Sequence, residues 1–90
     1  MTRDVILAQV RSAMAELFED VAREEIHPAA RLVEDLDLDS LDLVELTTAL
    51  SKWTGAAARE GEVRKLRTIA DVIDLAQRQL AQRKSAEGRR

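Results

Sequence analysis

The sequence predicts an all-α fold, a small bundle of three main helices plus one short helix, on three observations. Aromatic residues are 2% of the 90-residue chain, with one Pro and three Gly, so the residue types that favour strands and tight turns are scarce. Apolar residues recur at helical spacing in three separate segments. Hydrophobic residues are 46% and charged residues 34%, enough apolar surface for one small core and too little chain for two.

The first helix is expected over residues 3–21, where Ile6, Val10, Ala13, Met14, Leu17 and Val21 fall on one stripe. Pro28 disfavours helix at His27, so residues 25–39 read as a long connection anchored by Leu32, Val33, Leu36 and Leu38. Long ordered connections tend to be functional.

A second helix begins at Asp39-Ser40, either of which can cap free backbone N–H groups, and Asp42 adds negative charge at the positive end of the dipole. It runs to Lys52 or Trp53 and is stopped by Gly55. Leu43, Leu46, Leu50 and Trp53 share the core face, while Leu41, Val44, Glu45 and Thr48 share the opposite one. Two apolar residues on an outer face, ringed by acids, make a candidate contact patch.

Residues 55–67 are rich in Gly, Ala and charge, with Val63 and Leu66 as anchors, and predict a short helix or turn. Thr68-Ile-Ala-Asp71 resembles a capping box, and Ile69, Val72, Ile73, Ala76 and Leu80 mark a final helix. The folded domain is expected over residues 1–82, followed by a basic, frayed tail over 83–90.

The net charge of −3 hides a segregation. Residues 1–33 sum to −2, residues 34–51 to −6 and residues 52–90 to +5. The middle block interleaves Glu34, Asp35, Asp37, Asp39, Asp42 and Glu45 with leucines around Ser40. Crowded like charges oppose folding but steer a basic partner.

Most chemistry is excluded. With no cysteine there is neither disulfide, thiol nucleophile nor zinc cage. Asp35-x-Asp37-x-Asp39 opens like a calcium loop, but Ser40 stands where that loop turns on Gly and Leu46 where it needs a bidentate Glu, so no metal is assigned. Ser40 has no base to make it a nucleophile, because the one histidine, His27, lies in another segment, so no catalytic residue is assigned. The acidic block disfavours nucleic acid. The chain has no apolar run long enough for a membrane span and no signal-peptide pattern, so the expected location is the cytoplasm. What remains is a serine that serves as a substrate. At a helix N-terminus, a phosphodiester on its hydroxyl would meet free N–H groups and the positive dipole end.

The run Glu34-Asp-Leu-Asp-Leu-Asp-Ser-Leu-Asp-Leu-Val-Glu-Leu46 resembles the prosthetic-group site of acyl carrier proteins, whose pattern is Asp-Leu-Gly-x-Asp-Ser-Leu followed by a helix containing Val-Glu-Leu. Asp35, Leu36, Asp39, Ser40, Leu41, Val44, Glu45 and Leu46 match, Asp37 replaces the family glycine, and the likeness covers about residues 3–80. It implies a free-standing carrier, not an enzyme, whose Ser40 receives 4′-phosphopantetheine from coenzyme A through a phosphopantetheinyl transferase. The arm's thiol then holds acyl or polyketide intermediates as thioesters. Asp39, Leu41, Asp42, Val44, Glu45 and Thr48 would form the recognition surface for ketosynthases, acyltransferases and other synthase enzymes with basic docking surfaces, and the free protein is expected to be a monomer.

The chain departs from many fatty-acid carriers at Lys52, Arg59, Arg64 and Lys65, and at Ala58-Arg59 where those carriers have Ile-Pro. In its Leu36-Asp-Leu-Asp-Ser40 variant, in Thr54-Gly55 after the second helix and in Arg67-Thr68 before the last one, it is similar to dedicated carriers of aryl polyene and related polyketide pathways. Two alternatives stand beside this reading. One is a peptidyl or aryl carrier, disfavoured by Leu38-Asp39 where such carriers show Gly-Gly; the other is a non-carrier helical adaptor that docks a basic partner through its acidic second helix.

Overall fold

Thr2 begins the first helix by accepting a hydrogen bond from the Val5 amide, and α1 runs over Arg3–Leu17. The computed structural model describes the backbone of residues 2–88 and side chains as far as Gln82. It places a short 3₁₀ turn at Arg23–Glu25, α2 at Ser40–Thr54, α3 at Glu60–Arg64 and α4 at Ile69–Gly88. Among the described residues the only β-type pairing is an isolated antiparallel bridge between Arg31 and Thr68. The expected architecture, three long helices and one short, is the observed one.

α1 ends earlier than the stripe to Val21 suggests. Phe18 leaves helical geometry (φ −128°, ψ 91°), and Leu17 is exposed. No basic residue stands in the last turn, and Glu19 and Asp20 would bring negative charge to the negative end of the dipole, which favours termination. The break turns Phe18 into the core and lets Val21 pack against it.

α1, α2 and α4 pack on one another, and α3 touches α2. The core joins Ile6, Val10 and Met14 of α1, Leu46 and Leu50 of α2, and Ile69, Val72, Ile73, Leu75 and Ala76 of α4. The connection before α2 contributes Ile26, Ala30, Leu32, Leu36 and Leu38. Leu43 and Trp53, placed on the core face by periodicity, are only partly buried, whereas Thr47 (5% exposed) and Thr54 (0%) are buried. Arg3 ties the start of α1 to α4 through Asp74 at 2.6 Å and Gln77 at 2.8 Å.

α2 stops where expected: Gly55 adopts the left-handed conformation (φ 82°) and its N–H bonds the Ser51 carbonyl at 2.8 Å. The capping box before α4 is also present, with the Asp71 amide donating to Thr68 Oγ1 at 3.3 Å and the Thr68 amide donating to Asp71 Oδ2 at 3.1 Å. α4 continues through Gly88, beyond the expected start of a tail at residue 83, in keeping with the helix propensity of its Gln, Arg, Lys and Ala residues. The side chains of residues 83–90, on which the tail expectation rests, lie outside the described residues.

Candidate functional site: the head of α2 and its cleft

The loop that delivers Ser40 is pinned to the turn between α3 and α4. The Leu32 amide donates to the Arg67 carbonyl at 2.8 Å, and the Ile69 and Ala70 amides donate to the Ala30 and Pro28 carbonyls, each at 2.9 Å. Within the loop, Asp35 accepts from the Arg31 amide at 2.8 Å and from its guanidinium at 3.1 and 3.0 Å, a two-pronged contact. The Arg31 hydrogen bonds hold the Asp35 carboxyl below its ordinary pKa, and the same pair raises that of Arg31. Asp37, at the position of the family glycine, has φ 57°. That left-handed geometry explains the glycine, and Asp is among the few other residues that tolerate it.

Val33 was expected to anchor the loop, yet it is 52% exposed while its neighbour Leu32 is fully buried. The turn that pins Leu32 directs the adjacent residue outward, so Val33 lines the cleft beside Ser40 instead.

Asp39 and Asp42 close a reciprocal capping box. The Asp42 amide donates to Asp39 Oδ1 at 2.8 Å, and the Asp39 amide donates to Asp42 Oδ2 at 3.0 Å. Ser40 is the first residue of α2, exposed, with the box on either side. Its own amide and that of Leu41 have no partner among the described residues, as the first turn of a helix requires.

From Ser40 a cleft of about 780 Å³ extends between α2 and the α3 segment, within the usual range of small-molecule sites. Leu43, Val44, Thr47, Thr48 and Ser51 form its α2 side, at the i, i+3, i+4, i+7 spacing that continues the Ser40 face. Ala57, Ala58, Val63 and Leu66 face them, with Glu34, Glu60, Arg64 and Arg67 adding charge.

The sequence-predicted residues thus divide. Ser40, Val44 and Thr48 meet in the cleft. Asp42 lines a separate acidic hollow with Asp35 and Asp37, and Asp39 is occupied as the cap. Leu41 (64% exposed) and Glu45 project to solvent outside both depressions, and Val44 is 50% exposed. Sequence reasoning missed Val33, Thr47 and Ser51 as cleft residues, and stepping along α2 from Ser40 at helical spacing would have found Thr47 and Ser51. Arg64 and Arg67 stand out in the sequence as departures from the fatty-acid pattern and as pathway-like features, but nothing local places them in the cleft.

His27, the sole histidine, is exposed on the loop and absent from the cleft lining. A helical bundle that presents an exposed serine at a helix head, beside a cleft, has a build that suits a carrier. The comparisons agree. The family described as "Phosphopantetheine attachment site" matches residues 8–76, a span that includes Ser40. Acyl carrier protein 2 of Ralstonia nicotianae is 43% identical over 82 residues, covering 90% of this chain and 99% of that protein. The acyl carrier protein of Thermosynechococcus vestitus is 37% identical over 81 residues, with 90% and 99% covered. The crystal structure of an acyl carrier protein from Thermotoga maritima superposes with a TM-score of 0.70 at 19% identity, covering 89% of this chain and 92% of that one, a likeness of fold. The chain belongs to the acyl carrier protein family, carriers that bear covalent 4′-phosphopantetheine and are not themselves enzymes.

Members of the family are served by a phosphopantetheinyl transferase and by synthase enzymes. The residues present fit the prosthetic group. The Ser40 hydroxyl is accessible, two unpaired amides adjoin it, and the cleft begins at its side chain. Among the described residues no helix is long and apolar enough to cross a membrane.

Proposed function

We propose that Ser40 is the attachment point of the 4′-phosphopantetheine arm and that the chain works in the cytoplasm as the carrier of a dedicated acyl or polyketide pathway. The observation that supports this most is the placement of Ser40: first residue of α2, framed by the Asp39–Asp42 box, exposed, and opening directly on the cleft. In the loading step Ser40 Oγ forms the new P–O bond, the pyrophosphate bond of coenzyme A breaks, adenosine 3′,5′-bisphosphate leaves and the serine proton is released. The thiol of the bound arm supplies thioester chemistry.

The exposed Leu41 and the solvated carboxylate of Glu45 support docking by ketosynthases and acyltransferases through basic surfaces. The basic segment over residues 52–67 supports a dedicated synthase of aryl polyene or related polyketide type over the housekeeping fatty-acid system.

Incubation with coenzyme A and a promiscuous phosphopantetheinyl transferase tests the assignment. Intact mass should rise by one phosphopantetheinyl group in the wild type and not in Ser40→Ala. No gain, or an equal gain on Ser40→Ala, refutes it.

A further inference from the structure

The cleft has two chemically distinct sides. On α2, Thr47 Oγ1 and Thr48 Oγ1 donate to the Val44 carbonyl at 3.0 and 2.8 Å, and Ser51 Oγ donates to the Thr47 carbonyl at 2.9 Å. Each hydroxyl proton is therefore committed to the helix, and each oxygen retains only lone pairs. This side of the cleft accepts hydrogen bonds.

The other side donates. Arg64 is occupied by Glu60 at 2.8 Å. Arg67 has no ion pair among the described residues: its Nη1 donates to the Arg64 carbonyl at 2.7 Å and the Leu66 carbonyl at 3.2 Å, which fixes the guanidinium, while Nε and Nη2 have no protein partner there. Glu60 is taken by Arg64 and Glu34 lies nearest Arg31, so among the described residues Arg67 is the guanidinium of the lining left to meet an acceptor on the cargo.

A phosphopantetheine arm carries two amide N–H donors, which match the hydroxyl side. A saturated acyl chain gives the exposed Arg67 guanidinium nothing to bond, whereas a ketone oxygen near the thioester accepts from it. We infer that the arm lies along the α2 hydroxyls and that Arg67 selects oxygen-bearing cargo, favouring a 3-oxoacyl chain over its saturated counterpart. The inference rests on attachment of the arm at Ser40 and concerns which cargo the carrier shelters.

The test loads the protein with amide-linked, hydrolysis-resistant octanoyl or 3-oxooctanoyl pantetheine analogues, verifies loading by intact mass, and reads docking by ¹⁵N NMR. The 3-oxo form should shift the Arg67 Nε–H resonance and populate the docked arm about tenfold more than the octanoyl form, equivalent to ~1.4 kcal/mol. Arg67→Met should make the two forms equal, and Arg67→Lys should keep part of the difference. Thr48→Val combined with Ser51→Ala should weaken docking of both forms alike. Equal docking of the two forms in the wild type, or selectivity that survives Arg67→Met, overturns the inference and leaves the carrier assignment standing. Failure of Ser40 to load overturns that assignment instead.

Discussion

Replacing Gln79 by Met should make the protein more stable. Gln79 lies in α4 at 2% exposure; its Oε1 accepts from Thr54 Oγ1 at 2.9 Å, but its Nε2 is buried with no partner. Turning the amide over would exchange the two ends and still leave one bare. A buried donor without a partner costs about 1–3 kcal/mol, while the neutral hydrogen bond to Thr54 contributes only about 0.5–1.5 kcal/mol net. Methionine keeps the unbranched shape and removes both terms. The Thr54 hydroxyl is not stranded, because the Ala56 carbonyl lies 3.5 Å away. The balance favours Gln79→Met by about 1 kcal/mol, or roughly 4–8 °C in Tm for a domain of this size. Thermal and urea melts should show the gain with an unchanged urea slope. Thr54→Val leaves both ends of the amide bare and should cost about 1–3 kcal/mol, most of it recovered in the double variant. Ser40 is at the opposite end of α2, about 20 Å away along a helix of that length, so loading should not change. A lower Tm for Gln79→Met would refute the reasoning and mean that the amide is paired.

Three further outcomes are expected. Asp37, at φ 57°, should accept Gly with a gain of up to about 1 kcal/mol and resist Val with a loss of about 1–2 kcal/mol in urea denaturation; similar stabilities for the two variants would contradict the strain argument. The folded pKa of Asp35 lies below its reference value of 3.8, so its link to Arg31 stabilises fully above that range and is lost as pH falls through the depressed folded value. Asp35→Asn should therefore flatten the acid limb of a Tm–pH curve, and an unaltered limb would remove the pair from the account. Glu45→Lys should slow capture by a phosphopantetheinyl transferase several-fold at low salt and less at high salt, read from initial rates; equal rates at low ionic strength would exclude steering by this residue.

The long helices and the serine were legible because their determinants are local: apolar spacing, caps at Asp39 and Thr68, and a stop at Gly55. The end of α1 was not. A stripe through Val21 fits a continuing helix as well as a break that turns Phe18 inward, and only tertiary packing decides between them. Val33 was misplaced for a similar reason. Two adjacent apolar residues in a loop look equivalent until hydrogen bonds across the chain, here from Leu32 to Arg67, fix which one turns inward. The basic side of the cleft depended on more distant chain still, since Arg67 meets Ser40's cleft only after the loop and the α3–α4 turn have joined.

The acidic run is less uniform than its −6 suggests. Asp39 and Asp42 are held by each other's backbone amides, so reversing either charge would remove a cap along with any docking contact. Asp35 is bound by Arg31, and Glu34 lies 3.9 Å from the same guanidinium. Only Asp37 and Glu45 are left with neither an ion pair nor a capping role among the described residues, and Asp37 is constrained by its backbone geometry. Four of the six acids therefore answer the objection that clustered like charges weaken a fold, because each has a backbone amide or a cation to meet. Glu45, one turn beyond the exposed Leu41, is the carboxylate whose charge has no structural task. Electrostatic steering of partners is best isolated there, by a substitution that leaves the cap of α2, and so the presentation of Ser40, unchanged.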